Sequence, residues 1–235
     1  MPRKQAGFTL VEIAIVLVII GLLLGGVLKG QELINSAKIK NMINDIRSTS
    51  TFVAGYQDRF RAFPGDQNAA QLVTNFGATP VTPFGGGAAV AATAGAGVNG
   101  NGHLDGNWND PLATPSESFV FWQHVRLANL AAGATDINDP NYLPRNADGG
   151  QLGIESGING AGAAAPFITG MRGSYYVCMD GVLGRYAKQI DTTMDDGNTA
   201  GGSVQVVPTG SARATAATGT AAVVDGSQYI VCAGF

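Results

Sequence analysis

Charge is scarce in this 235-residue chain: 13% of its residues are Asp, Glu, Lys or Arg, where about a quarter is usual. A charged coiled coil and a solvated acidic tail are excluded. Basic residues are outnumbered 14 to 17, so no overall positive field would hold a phosphate backbone by counterion release. Two cysteines and two histidines are too few for a closely spaced structural zinc site. What the chain does have is glycine, 34 residues of it, about twice the ordinary share. Its 45% hydrophobic content is sufficient for a core.

The amino end combines the lowest charge with the longest apolar run. From Phe8 to Leu28 the one ionisable residue is Glu12, and at about 1.5 Å per residue such a helix reaches roughly 30 Å, the depth of a bilayer's hydrocarbon core. It is expected to span a membrane. Arg3 and Lys4 precede the run, so the amino end is expected to stay in the cytoplasm while the remainder crosses. A secretory signal would have a shorter apolar centre and a small-residue cleavage site; no A-x-A follows Gly21, Gly25 or Gly26. Glu12 needs compensation, because a carboxylate in hydrocarbon is costly unless it is neutralised or paired. A newly exposed α-amino group, on this chain or a neighbour, would be a suitable cation.

The residues Lys4-Gln5-Ala6-Gly7-Phe8-Thr9-Leu10-Val11-Glu12 resemble the prepilin leader and cleavage site of type IV pilins and type II secretion pseudopilins. The resemblance covers residues 4 to 28. It implies that a dedicated prepilin peptidase cuts after Gly7 and N-methylates Phe8, with residues 1–7 as the leader. It also implies that Glu12 docks against a neighbouring subunit's terminus during assembly. Leader removal would take Arg3 and Lys4 away and leave the exported part more acidic. A looser resemblance, to larger prepilin-type proteins of Gram-negative bacteria, rests on Tyr56 to Asp66, Trp122, the Cys178 segment and Met194-Asp195-Asp196-Gly197.

Beyond the span, Ile39, Ile43, Ile46, Ser50, Val53, Tyr56 and Phe60 recur at steps of three and four, the stripe of an amphipathic helix. One helix is therefore expected over 8–62, with 8–28 as its membrane and assembly part, stopped by Pro64-Gly65. A globular head is expected over 63–235.

Within the head, residues 77–102 are rich in Gly and Ala with almost no charge and read as an irregular loop. Asn99, Asn101 and Asp105 fall on alternating positions among glycines, a spacing that suits either a calcium loop or plain turns. Thr114-Pro115-Ser116-Glu117 has the form of a capping box with proline at the first helical position. A helix is expected from there, with Val120, Phe121, His124, Val125, Ala128 and Ala131 on its apolar face and Gly133 as its stop. His124 has no serine, cysteine or acid placed by sequence to form a relay with it, and His103 is equally isolated. Residues 174–179 and 228–232 are β-formers and read as strands. Their cysteines, Cys178 and Cys232, are either buried thiols or, on the exported side, a disulfide. The bridge would close a long loop worth roughly 4 kcal/mol on the chain-entropy estimate, and an enclosed carboxyl-terminal region is also what the pilin resemblance implies. Asp191, Asp195, Asp196 and the Asn198 amide crowd into eight residues, and would repel unless solvated or bridged by a cation; the resemblance implies calcium in a loop of this region in some pseudopilins. Residues 203–226 read as a flexible exposed segment.

The expectation is an α+β, pilin-like subunit: a long amino-terminal helix, transmembrane then amphipathic, and a head with a small antiparallel sheet and long loops. No catalytic residues are assigned and no cofactor is required, with Ca2+ as a candidate ligand. The expected partners are copies of itself or related pilins, a prepilin peptidase, an inner-membrane assembly platform and the inner membrane. Nucleic acid is expected only as the ligand of an assembled pilus. The expected location is the inner membrane, single-pass with a cytoplasmic amino end, and after assembly a surface pilus or a periplasmic pseudopilus. Three functions fit: a type IV pilus subunit, serving adhesion, motility or DNA uptake; a pseudopilin in protein secretion; and a membrane-tethered binding protein that does not polymerise.

Overall fold

In a computed structural model of the chain, residues 10–77, 92–111, 115–157 and 166–235 are described. The leader, Gly7, Phe8, Thr114 and most of the Gly/Ala-rich stretch lie outside them. The first element is a single α-helix, α1 (Leu10–Phe60), 51 residues long and therefore about 77 Å end to end at 1.5 Å per residue. It ends at Arg61, whose φ of 53° leaves the helical region, three residues ahead of the proline expected to stop it. Of the expected stripe, Ile39, Ile43, Ile46, Val53 and Tyr56 are buried and Ser50 and Phe60 half-buried; Met42 and Thr49 join the buried face.

Two short helices follow. The first, α2 (Ala69–Phe76), is started by a reciprocal capping box: Asn68 Oδ1 accepts from the Gln71 amide while Gln71 Oε1 accepts from the Asn68 amide. The second, α3 (Glu117–Leu127), begins two residues later than the sequence suggests, because the capping side chain is Ser116, which accepts from the Phe119 amide. It also ends sooner, before Asn129 at φ 59°. Nor does it have one apolar face: every residue from Glu117 to Leu127 is buried, so α3 runs through the interior, where Gln123 and Arg126 donate to backbone carbonyls while Glu117 Oε1, Ser118 Oγ and Trp122 Nε1 have no hydrogen-bond partner.

The sheet has four antiparallel strands in the order β1-β3-β6-β4, namely β1 (Leu152–Glu155), β3 (Tyr176–Leu183), β4 (Val204–Pro208) and β6 (Gln228–Gly234). A parallel pair, β2 (Ile168–Thr169) and β5 (Thr215–Ala216), stands apart. Side chains alternate across the sheet with the period of two that strands impose. Val177, Met179, Val204, Val206, Tyr229, Val231 and Ala233 face the main core with α1 and α3. Tyr176, Cys178, Val207, Ile230 and Cys232 face a smaller cluster capped by Trp108 and Phe167. The segment 203–226 is thus not wholly exposed: it contributes β4, four of whose five residues are buried. Val-Gln-Val-Val is too short a run to stand out in its Thr/Ala/Gly surroundings, and pairing with β6 is what orders it.

A fourth α-helix, α4 (Gly184–Met194), was unexpected; it follows β3 without a break and packs against α1. Cys178 and Cys232 lie directly opposite each other on neighbouring strands β3 and β6 and form a disulfide.

Candidate functional site

The rod. Nineteen of the first residues of α1, from Leu10 to Leu28, are all exposed, and they are apolar around the whole circumference rather than along one stripe. This half of α1 has no buried residue and is long and apolar enough to cross a membrane. Glu12 sits in its first turn. At Gly21, Gly25, Gly26 and Gly30 an added Cβ would meet nothing within 4 Å, so no packing within the chain calls for glycine there.

The grip of the head on the rod begins where the apolar run stops. Tyr186 of α4 donates to Asn35 Oδ1 at 2.7 Å, Lys38 pairs with Asp148 at 2.8 Å, and Ser50 meets the Tyr175 hydroxyl at 3.0 Å. Near the top of the rod, Tyr56 is fully buried and donates to Gln67 Oε1 at 2.5 Å. Its ring stacks with His124 at a centroid separation of 6.4 Å. His124 itself accepts from the Gly65 amide through Nδ1 and donates through Nε2 to the Thr93 carbonyl, each at 2.9 Å. Complete burial holds it down at about 4, so the ring is neutral and acts as a bracket between the turn after α1 and the loop beyond α2. Its neighbours are rings and backbone, not a catalytic relay.

The acidic cluster. Asp191, Asp195 and Asp196 each bring a carboxylate oxygen to within 4.8 Å of the others. The sequence placed them on a loop; Asp191 is instead on the last turn of α4, and Asp195 terminates that helix. Asp195 Oδ2 accepts from the amides of Ser203 and Val204 at 2.5 and 3.0 Å, tying the helix end to β4. Asp196 Oδ1 accepts from the Asn198 amide at 2.8 Å, and Asn198 Oδ1 from Ala200 at 3.3 Å. Asp191 is completely buried and neither of its oxygens has a hydrogen-bond partner. Burial, reinforced by the fields of Asp195 and Asp196, pushes its carboxyl up to about 6. An oxygen-only donor set with two orphaned buried oxygens is the chemistry of a hard divalent cation, so these residues fit calcium.

The loop of residues 97–105. Asn99, Asn101 and Asp105 all lie on this loop. Asn101 Oδ1 is occupied by the His103 amide at 2.8 Å. The loop is instead organised by two acids that the sequence pattern did not single out. Asp66, just after α1, accepts from the amides of Gly100, Asn101 and Gly102. Glu117, at the start of α3, accepts from the Asp105 amide at 2.9 Å, and Asp105 Oδ2 accepts from the Val98 amide at 2.6 Å. Burial and the nearby carboxylates of Asp66 and Asp105, opposed by the Asp105 amide, hold Glu117 up at about 8. The signal for Asp66 lay in its Pro-Gly-Asp turn, yet only the fold carries residues 66 and 117 to the same loop.

A family model described as the prokaryotic N-terminal methylation motif matches residues 2–28. No curated protein and no solved structure matches the chain. That motif is the hallmark of prepilin-like proteins, pilins and pseudopilins alike, and implies processing by a prepilin peptidase and assembly into pilin-type filaments. With the apolar helix it fits anchoring in the inner membrane before assembly, and the α+β architecture of long rod and antiparallel head is pilin-like.

Proposed function

We propose that this chain is a structural subunit of a type IV pilus or pilus-like filament. It is cleaved after Gly7, N-methylated at Phe8 and polymerised through α1. The observation that carries this reading is the exposed apolar half of the rod, which has no partner surface in its own head and carries a single acid, Glu12, in its first turn. In the membrane, acyl chains cover that surface; in a filament, the same half of neighbouring rods covers it. The acid then distinguishes one axial register from the rest, since it must meet a neighbour's terminal amine. The role is mechanical, and the head serves display. Adhesion, motility and DNA uptake are the surface functions such a fibre would support.

The acidic cluster favours a second reading, a pseudopilin of type II secretion with calcium held by Asp191, Asp195, Asp196 and Asn198. Two experiments test assembly and processing. Glu12→Ala should abolish incorporation into sheared surface fibres while leaving the membrane-embedded precursor folded; normal fibres from that variant would overturn the assembly role of Glu12. Mass spectrometry of the purified protein should find methylated Phe8 as its first residue. An intact Met1 to Gly7 would instead indicate a tethered protein that never polymerises.

A further inference from the structure

The loop between α2 and α3 carries two Asn-Gly pairs, Asn99-Gly100 and Asn101-Gly102, and Gly100, Asn101 and Gly102 are exposed to water. Asparagine is chemically labile, above all before glycine, which has no Cβ to keep its amide nitrogen from approaching the asparagine side-chain carbonyl. Both nitrogens placed to make that approach, those of Gly100 and Gly102, are held by one carboxylate. The Gly100 amide donates to Asp66 Oδ1 and the Gly102 amide to Asp66 Oδ2 at 2.6 Å. The Asn101 amide between them joins Oδ1 at 3.2 Å.

The two asparagine carbonyls are not protected in the same way. Asn99 Oδ1 has no hydrogen-bond partner, and Asn101 Oδ1 accepts from the His103 amide at 2.8 Å, which polarises that carbonyl further. The restraint therefore falls on the nucleophile. Attack requires the glycine amide to give up its proton, and a carboxylate bonded to that N–H opposes the negative charge left on nitrogen. Asp66 is 2% exposed, so water competes little for its oxygens and the hold is strong.

We propose that Asn99 and Asn101 are latent deamidation sites and that Asp66 keeps both closed. When its grip opens, the glycine nitrogen loses its proton and bonds to the asparagine Cγ; the Cγ–Nδ2 bond breaks and ammonia leaves with the proton. Water then opens the cyclic imide at either carbonyl, giving aspartate or isoaspartate. Isoaspartate carries the backbone through the former side chain, so it displaces the following glycine amide from Asp66 and weakens the hold on the other pair. The two sites are thus coupled through one carboxylate, and the first conversion quickens the second. This chemistry does not depend on whether the chain polymerises.

The test incubates the full chain in detergent micelles at mildly alkaline pH and follows each asparagine by peptide mapping with mass spectrometry and by enzymatic labelling of isoaspartate. Asp66→Ala should raise the deamidation rate at both sites by about ten- to a hundredfold over the parent, as expected when a hydrogen bond to a charged group no longer has to be broken. Asp66→Asn, which keeps one acceptor oxygen but no charge, should open at least one of them. Asn159-Gly160, the third such pair in the chain, is the reference and should keep its parental rate in both variants. Molecules converted at both loop sites should outnumber the product of the two single fractions; independent accumulation would overturn the coupling. Unchanged rates at residues 99 and 101 in folded Asp66→Ala overturn the proposal, and a rise shared equally by all three pairs assigns the protection to the fold at large and overturns the role of Asp66. Should both variants fail to fold, the parent decides: deamidation at residues 99 and 101 as fast in the folded chain as in urea overturns the closed sites, and slower deamidation upholds them.

Discussion

The two halves of α1 are one continuous helix that meets two different solvents. From Ile39 to Tyr56 its apolar side chains repeat along one stripe and are buried against the sheet and α3. From Leu10 to Leu28 they surround the axis and none is buried. The backbone geometry is the same, so what differs is where each half obtains its hydrophobic free energy. The outer half obtains it within the chain, at roughly 25 cal/mol per Å2 of apolar surface removed from water. The inner half can obtain it only from lipid or from other molecules. The rod is thereby divided into a part that stabilises the head and a part that leaves the head's stability untouched.

One substitution in each half sharpens that contrast. Tyr56→Ala removes a fully buried ring and its hydrogen bond to Gln67, and should cost the head about 3–5 kcal/mol in denaturant unfolding, as large-to-small core changes do. Leaving the midpoint unmoved would mean that the head does not depend on the rod.

A smaller effect is expected at the bracket that joins the rod's end to the head. His124 is held at about 4 against an ordinary 6.5, so the unfolded chain takes up its proton first as pH falls. Its contribution is complete above pH 6.5 and is lost progressively down to pH 4, amounting to about 3 kcal/mol at most. Asp191, raised from 3.8 to about 6, acts with the opposite sign in nearly the same range, favouring the folded state as pH falls. The difference between the parent and His124→Asn, which can still accept from the Gly65 amide, isolates the histidine. Equal pH profiles for the two proteins would show that the ring does not stay neutral. The smallest effect belongs to the inner half. Leu23→Ala, with its side chain 64% exposed, should shift head unfolding in micelles by less than about 0.5 kcal/mol. A shift comparable to that of Tyr56→Ala would remove the distinction between the halves.

Much of this division was legible in the chain's own pattern. A run with one ionisable residue and a stripe at steps of three and four are local signals, fixed by the helical repeat, and both halves of α1 were apparent from them. So were the two central strands with their cysteines, because β-branched and aromatic residues cluster there. The remaining strands were not. The residues of β1, Leu152-Gly153-Ile154-Glu155, and of β4 are ordered by partners far along the chain. The start of α3 was misplaced by two residues because Thr114 and Ser116 are both good caps, and only the burial of Ser116 and its bond to Phe119 separate them.

By itself the sequence determined the rod, its processing motif, the single acid of its apolar half and the two strands that carry the cysteines, since each depends on neighbours along the chain or on composition alone. Only the tertiary structure decided which acids share a site. It put Asp191 on a helix end with both oxygens unsatisfied, and it brought Asp66 and Glu117 to one loop from opposite sides of a long gap in sequence. Burial sets the charge and ligand preference of a carboxylate, and burial is a property of the packed chain that spacing does not encode.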